Sequence, residues 1–115
     1  MKYLPMLLLC VLVLFLLKKR FFDTTDYKAL LAEGAIIVDV RSPSEFSGGY
    51  IENSLNIPVG ELMNKLEYLK DKNQSIITCC ASGMRSGAAK QLLVAKGYTN
   101  VINGGGWSSL NAKIK

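Results

Sequence analysis

The sequence contains no histidine and only three cysteines. Structural zinc sites are built from imidazoles and from thiolates at spacings such as Cys-x-x-Cys. Neither is present: Cys10 stands alone, and Cys79 and Cys80 are adjacent. Neighbouring cysteines make a poor disulfide, because the small ring they would close is strained. Composition therefore argues against both a structural zinc and a disulfide scaffold. A basic face on the body of the chain is also missing. The net charge is +5, but Lys2, Lys18, Lys19 and Arg20 supply four of those charges, and residues 23–115 hold ten Lys and Arg against nine Asp and Glu. A nucleic-acid footprint needs positive charge clustered on the folded surface, so no nucleic-acid partner is expected. There are no internal repeats, low-complexity tracts or signs of a second domain. The 115 residues suit one small domain with an apolar appendage.

The most informative residues are Cys80-Ala81-Ser82-Gly83-Met84-Arg85. They follow an apolar, β-prone run, Ser75 to Cys79, and precede a run that reads as a helix, Ser86 to Lys96, stopped by Gly97. A cysteine that leaves a strand and faces the first turn of a helix meets backbone N–H groups with no intrahelical partner. Arg85 adds a permanent cation at the mouth. Both favour thiolate over thiol, and the thiolate is the nucleophile. The same cradle suits an anionic substrate. Cys79 is expected to face away from this pocket, since successive strand side chains point to opposite faces. Ser86 reads as the helix cap, and the hydroxyls of Ser82 and Ser86 are candidates to hydrogen-bond the sulfur. Met84 is expected at the pocket rim, and Trp107 in packing.

The rest of the domain alternates short helices and strands. Asp23-Thr24-Thr25 reads as the cap region of a helix from Asp26 to Glu33, ended by Gly34. Ala35 to Val40 is a continuous apolar strand containing Asp39. Arg41-Ser42-Pro43-Ser44-Glu45-Phe46 combines turn chemistry with a capping pattern. Ser54 to Ile57 is a short strand closed by Pro58, and Glu61 to Leu69 has a helical apolar stripe. Asn100 to Ile102 is a strand, and Ser108 to Ile114 a closing helix. Strands apolar on both faces and separated by helices predict a parallel sheet covered on both sides. Ligands of such sheets bind beyond the carboxyl ends of the strands, which is where Cys80 and Asp39 both lie.

The appendage runs from Tyr3 to Leu17 without a charge. Fifteen residues at about 1.5 Å each fall short of a bilayer core of about 30 Å. Lysine snorkelling and Phe21-Phe22 at the interface would extend the reach. No small-x-small cleavage site follows, and Lys18-Lys19-Arg20 stands in its place. Residues 1–22 are therefore expected to be an uncleaved transmembrane anchor, with a cleaved signal peptide and a periplasmic enzyme as the alternative. The more basic flank stays inside, which puts residues 23–115 on the cytoplasmic side of the inner membrane.

Four residues separate Cys80 from Arg85, where cysteine phosphatases have five, and the shorter loop resembles the active loop of rhodaneses, the thiosulfate sulfurtransferases. The resemblance extends in order over roughly residues 24–110. Val38-Asp39-Val40-Arg41-Ser42-Pro43-Ser44-Glu45-Phe46 is similar to that family's Asp-Val-Arg segment. Gly49-Tyr50-Ile51-Glu52-Asn53-Ser54-Leu55-Asn56-Ile57-Pro58 is similar to its Gly-His-Ile-Pro-Gly-Ala-x-Asn-Ile-Pro stretch. Lys96 to Val101 and the glycines after Asn103 match its C-terminal part, most nearly in the single-domain bacterial phage shock protein E type. Tyr50 and Asn53 depart from the usual histidine and glycine, and Leu110 takes the place of a late tryptophan.

The resemblance implies a three-layer α/β fold, a parallel sheet of about five strands with helices on both faces. Its first strand would come from Arg20-Phe21-Phe22. It implies a sulfurtransferase in which Cys80 takes a sulfane sulfur from thiosulfate or a similar small anion and passes it to a thiol, cyanide or a protein cysteine. Ala81, Ser82, Gly83, Met84, Arg85 and Ser86 would form the substrate loop, with Asp39 and Arg41 as a structural pair fixing the loop beside it. No metal or organic cofactor is implied. The rival readings are a cysteine phosphatase or arsenate reductase on the same scaffold, and a non-catalytic membrane-tethered binding module.

Overall fold

The computed structural model describes residues 4–21 and 25–115. Tyr3, Phe22 and Asp23-Thr24, which carry parts of the expected anchor, first strand and cap, lie outside the described residues. The domain is built from α2 (Tyr27–Ala32), β1 (Ile36–Asp39), α3 (Pro43–Ser47), β2 (Leu55–Asn56), β3 (Ile76–Cys80), α4 (Met84–Ala95), β4 (Val101–Gly106) and α5 (Trp107–Ile114), preceded by α1 (Leu4–Phe21). The strands form one sheet in the order β2-β1-β3-β4, and every pair is parallel. The sheet therefore has four strands among the described residues, not about five. Arg20 and Phe21, expected to start a first strand, close α1 instead.

Strand alternation divides the core in two. On one face Val38, Ile76 and Cys80 pack with Ala89 and Leu93 of α4 and with Leu62 and Leu69. On the other, Ile37, Ile77 and Cys79 pack with Tyr27 of α2 and Leu110 of α5. All five residues of β3 are buried, as a central strand covered on both sides requires. Each fully buried Ile or Leu removes enough apolar surface from water to contribute about 2 kcal/mol. Local signals set the ends of α2. Asp26 accepts from the Ala29 N–H as its N-cap, and Gly34 takes φ +103° just past its end, a left-handed position glycine adopts without a Cβ clash.

Two expectations are corrected here. Glu61 to Leu69 is not one α-helix. It is a pair of 3₁₀ segments, Val59–Asn64 and Leu66–Tyr68, interrupted at Lys65 (φ −125°, ψ 25°). The apolar stripe still faces inward, burying Leu62 and Leu69. The second correction concerns the anchor: no helix among the described residues is long and apolar enough to cross a membrane. α1 forms, but it ends in Lys18-Lys19-Arg20-Phe21, so its uncharged part, Leu4 to Leu17, spans only about 21 Å.

Candidate active site

Cys80 is the last residue of β3, and Gly83 caps α4, which starts at Met84. The chain reverses within three residues between them. Gly83 makes this possible at φ +105°, where a Cβ would be strained. Its own N–H then points back at the cysteine and donates to Cys80 Sγ at 2.9 Å. Ser86, expected as the cap, is instead the third residue of α4. It is fully buried, with its hydroxyl 3.4 Å from Cys80 Sγ. Burial pushes the Cys80 thiol up, but the Ser86 hydroxyl and the backbone N–H groups of Ser86, Gly83 and Ser82 outweigh it, leaving the thiol below its ordinary value of 9.0. Hydrogen bonds from an unsatisfied helix start favour an anion there.

Cys79 sits in the opposite layer, 0 % exposed. Burial first, and the Asp39 carboxylate second, push its thiol up to about 12. Two adjacent cysteines thus have opposed acidities because the strand turns one toward a helix start and the other into apolar packing.

Arg85 does not stand free at the mouth. It makes a bidentate pair with Glu45 of α3, Nη1 to Oε1 at 2.7 Å and Nη2 to Oε2 at 2.9 Å. Glu45 also closes the capping box of α3, accepting from the Ser42 N–H and hydroxyl. The Arg85 fork, followed by Ser42, holds the Glu45 carboxyl down at about 2. The capping pattern in the sequence pointed only to a helix start. Nothing local connects position 45 to position 85.

Asp39 and Arg41 form a buried pair, 0 % and 4 % exposed. Arg41 Nη2 donates to Asp39 Oδ2 at 2.8 Å and Nε to both carboxylate oxygens at 3.0 Å. Arg41 also donates to the carbonyls of Gly49 at 2.6 Å and Glu45 at 3.3 Å, and its guanidinium lies 4.7 Å from the Trp107 ring centroid. It therefore ties the middle of α3 and the turn after it to the sheet, and so fixes the helix that presents Glu45 to Arg85. Trp107 packs against the second core layer. Ala81 and Ser82 are exposed, and Met84 is 84 % exposed beside the loop.

Asn103 was not legible as a site residue. Its Oδ1 accepts from Ser86 Oγ at 2.7 Å and from the Gly105 N–H at 3.0 Å, and its Nδ2 donates to the Gly83 carbonyl at 3.3 Å. It pairs in register with Thr78, two residues before Cys80, and β4 bulges just beyond it: Cys80 pairs with Gly106, so β4 inserts one extra residue against β3. Gly105, at φ +80°, absorbs the bend. No group of side chains among the described residues could hold a metal ion.

A family model for the rhodanese-like domain matches residues 23–113. The chain is similar to the thiosulfate sulfurtransferase PspE of Escherichia coli, 36% identical over 70 residues, 60% of this chain and 67% of that one. It is similar to the thiosulfate:glutathione sulfurtransferase of Saccharomyces cerevisiae, 35% identical over 94 residues, 69% of this chain and 68% of that one. Among solved structures it resembles a rhodanese with anions from E. coli, with a TM-score of 0.62 and 33% identity over 65% of this chain and 89% of the other. It also resembles the human single-domain sulfurtransferase TSTD1, with a TM-score of 0.59 and 35% identity over 65% and 79%.

Proposed function

This chain belongs to the rhodanese-like domain family, and we propose on that premise that it moves sulfane sulfur from thiosulfate, or a donor like it, to a thiophilic acceptor through a persulfide on Cys80. The carrying observation is the Gly83 N–H donating to Cys80 Sγ at 2.9 Å at the start of α4. The Cys80 thiolate attacks the outer sulfur of thiosulfate. The S–S bond of the donor breaks, its electron pair leaves with sulfite, and Cys80 holds a persulfide anion. A thiolate, cyanide or protein cysteine then attacks the outer sulfur, and the Cys80 thiolate leaves. The N–H groups of the loop and helix start stabilise sulfur anions in both half-reactions. Cys80 is only 1 % exposed. The added sulfur extends about 2 Å further out, which favours attack by the acceptor on the persulfide over contact with Cys80 itself.

Incubation with thiosulfate should add one sulfur, about 32 Da, at Cys80, removable by cyanide. Mass that mapped to Cys79 or Cys10, or that never formed, would overturn the assignment.

We further propose that α1 attaches the domain to the cytoplasmic face of the membrane. Met6, Leu8, Leu9 and Leu14 are each at least 60 % exposed, and the basic residues that follow suit anionic headgroups, at about 1 kcal/mol each. The protein should co-sediment with membranes, and an impermeant thiol reagent applied to spheroplasts should leave Cys80 unlabelled. A soluble protein, or labelling from outside, would overturn this placement.

A further inference from the structure

The Ser86 hydroxyl has one proton and three acceptors within reach: Asn103 Oδ1 at 2.7 Å, the Gly83 carbonyl at 3.1 Å and Cys80 Sγ at 3.4 Å. With Cys80 as a thiol, its S–H donates to Ser86 Oγ, and the shortest contact takes the Ser86 proton to Asn103. Once the Cys80 proton has left to water, the sulfur is a charged acceptor with no proton of its own. Charge-assisted hydrogen bonds are about twice as strong as neutral ones, so the Ser86 hydroxyl turns to the sulfur. Asn103 Oδ1 tolerates the loss because it keeps the Gly105 N–H at 3.0 Å.

We propose that Asn103 is a positioning residue for sulfur transfer: it holds the Ser86 proton in the resting enzyme and competes with the sulfur anion for it. The inference rests on Cys80 as the sulfur carrier. Asn103 thereby limits how acidic Cys80 becomes and keeps the thiolate a less stabilised, more reactive nucleophile. The other groups around Cys80 are the Arg85–Glu45 pair from α4 and α3, Asp39 with Arg41 from β1 and the turn after it, and the Cys79 thiol. None of them is a hydrogen-bond partner of Asn103, so substituting Asn103 leaves their mutual contacts in place.

The test is the pH dependence of Cys80 alkylation by iodoacetamide, in Asn103→Ala, Ser86→Ala and the double variant. Asn103→Ala leaves only the Gly83 carbonyl, at 3.1 Å, to compete with the sulfur for the Ser86 proton, and should move the inflection to lower pH by about half a unit, part of the worth of one hydrogen bond. Ser86→Ala should move it upward by a similar amount, and adding Asn103→Ala to it should change nothing further. If Asn103 only braces the loop through Gly83, its removal loosens the Gly83 N–H and moves the inflection upward, with or without Ser86. In Asn103→Ala, an upward or absent shift, or a shift that survives in the Ser86→Ala background, overturns the proposal. Asn103→Asp guards against loss of structure, since it keeps an acceptor oxygen and should move the inflection upward. Mass addition from thiosulfate, measured on the same variants, reports separately on whether Cys80 is the carrier.

Discussion

The Glu45 carboxylate and the Arg85 guanidinium meet fork to fork, forty residues apart in the chain, at 2.7 and 2.9 Å. The pair joins the first turn of α3 to the first turn of α4. Arginine is unfavourable near a helix N-terminus, and Glu45 compensates for it there. The mouth of the loop consequently carries a neutralised pair, not a free cation, so an anion there meets N–H donors with no net positive charge beside them.

Releasing Arg85 should strengthen anion capture. Glu45→Gln removes the countercharge while keeping the shape, so KM for thiosulfate should fall by about threefold, the worth of a partly exposed charge pair, and the gain should vanish at high salt. Arg85→Ala should raise KM instead. A higher KM in Glu45→Gln would show that the carboxylate aims the guanidinium at the donor.

The same pair sets an acid dependence. The folded Glu45 carboxyl lies at about 2 against 4.5 ordinarily. A depressed carboxyl contributes stability in full above the unfolded value and loses it as the pH falls toward the folded one. The Tm advantage of the native protein over Glu45→Gln should therefore be present at pH 6 and shrink steadily between about pH 4.5 and 2. A gap independent of pH would assign the effect to packing.

Asp39 and Arg41 should be costly to separate. Removing one partner of a buried pair leaves an uncompensated charge, worth about 3–5 kcal/mol. Asp39→Ala and Arg41→Ala should each lose that much in urea unfolding. Arg41→Lys should recover little, since an ammonium cannot span the carboxylate and the Gly49 carbonyl together. A loss below about 1 kcal/mol would place the pair among surface contacts.

The two adjacent thiols should separate cleanly. Native protein at neutral pH should take one alkyl group in the domain, on Cys80. Cys79, fully buried with its thiol raised to about 12, should react only after unfolding. Early labelling of Cys79 would mean that the α2–α5 layer opens locally.

The parallel fold and the Cys80 loop were legible because their signals are local: strands apolar on both faces, and a glycine turn between strand and helix. Strand limits shifted by one residue at β1, β2 and β3, but by four at the end of β4, which runs on through three glycines to Gly106 where composition suggested that it would stop. The helical stripe at 61–69 identified the buried face but not the helix type, since both helix types bury Leu62 and Leu69. Glu45 and Asn103 were missed for a different reason. Each acts on the loop across 40 and 20 residues or so of chain, through a side-chain contact that only the folded sheet creates. Arg85 was read as a free cation because the sequence does not show its partner.

The two layers of the core also make β3 a matter of parity. Odd positions, Ile77 and Cys79, look toward α2 and α5; even positions, Ile76, Thr78 and Cys80, look toward α4. A slip that carried Cys79 into the last strand position would exchange the two sets wholesale. Thr78 and its hydroxyl would move into the apolar α5 layer, away from the Ser86 carbonyl that accepts from it at 2.9 Å. Yet a sulfur would still stand at the head of the loop. That sulfur would have five residues, not four, between it and Arg85, so the threonine, which alone of 76–80 has no like neighbour to take its place, holds the register and with it the working length of the loop.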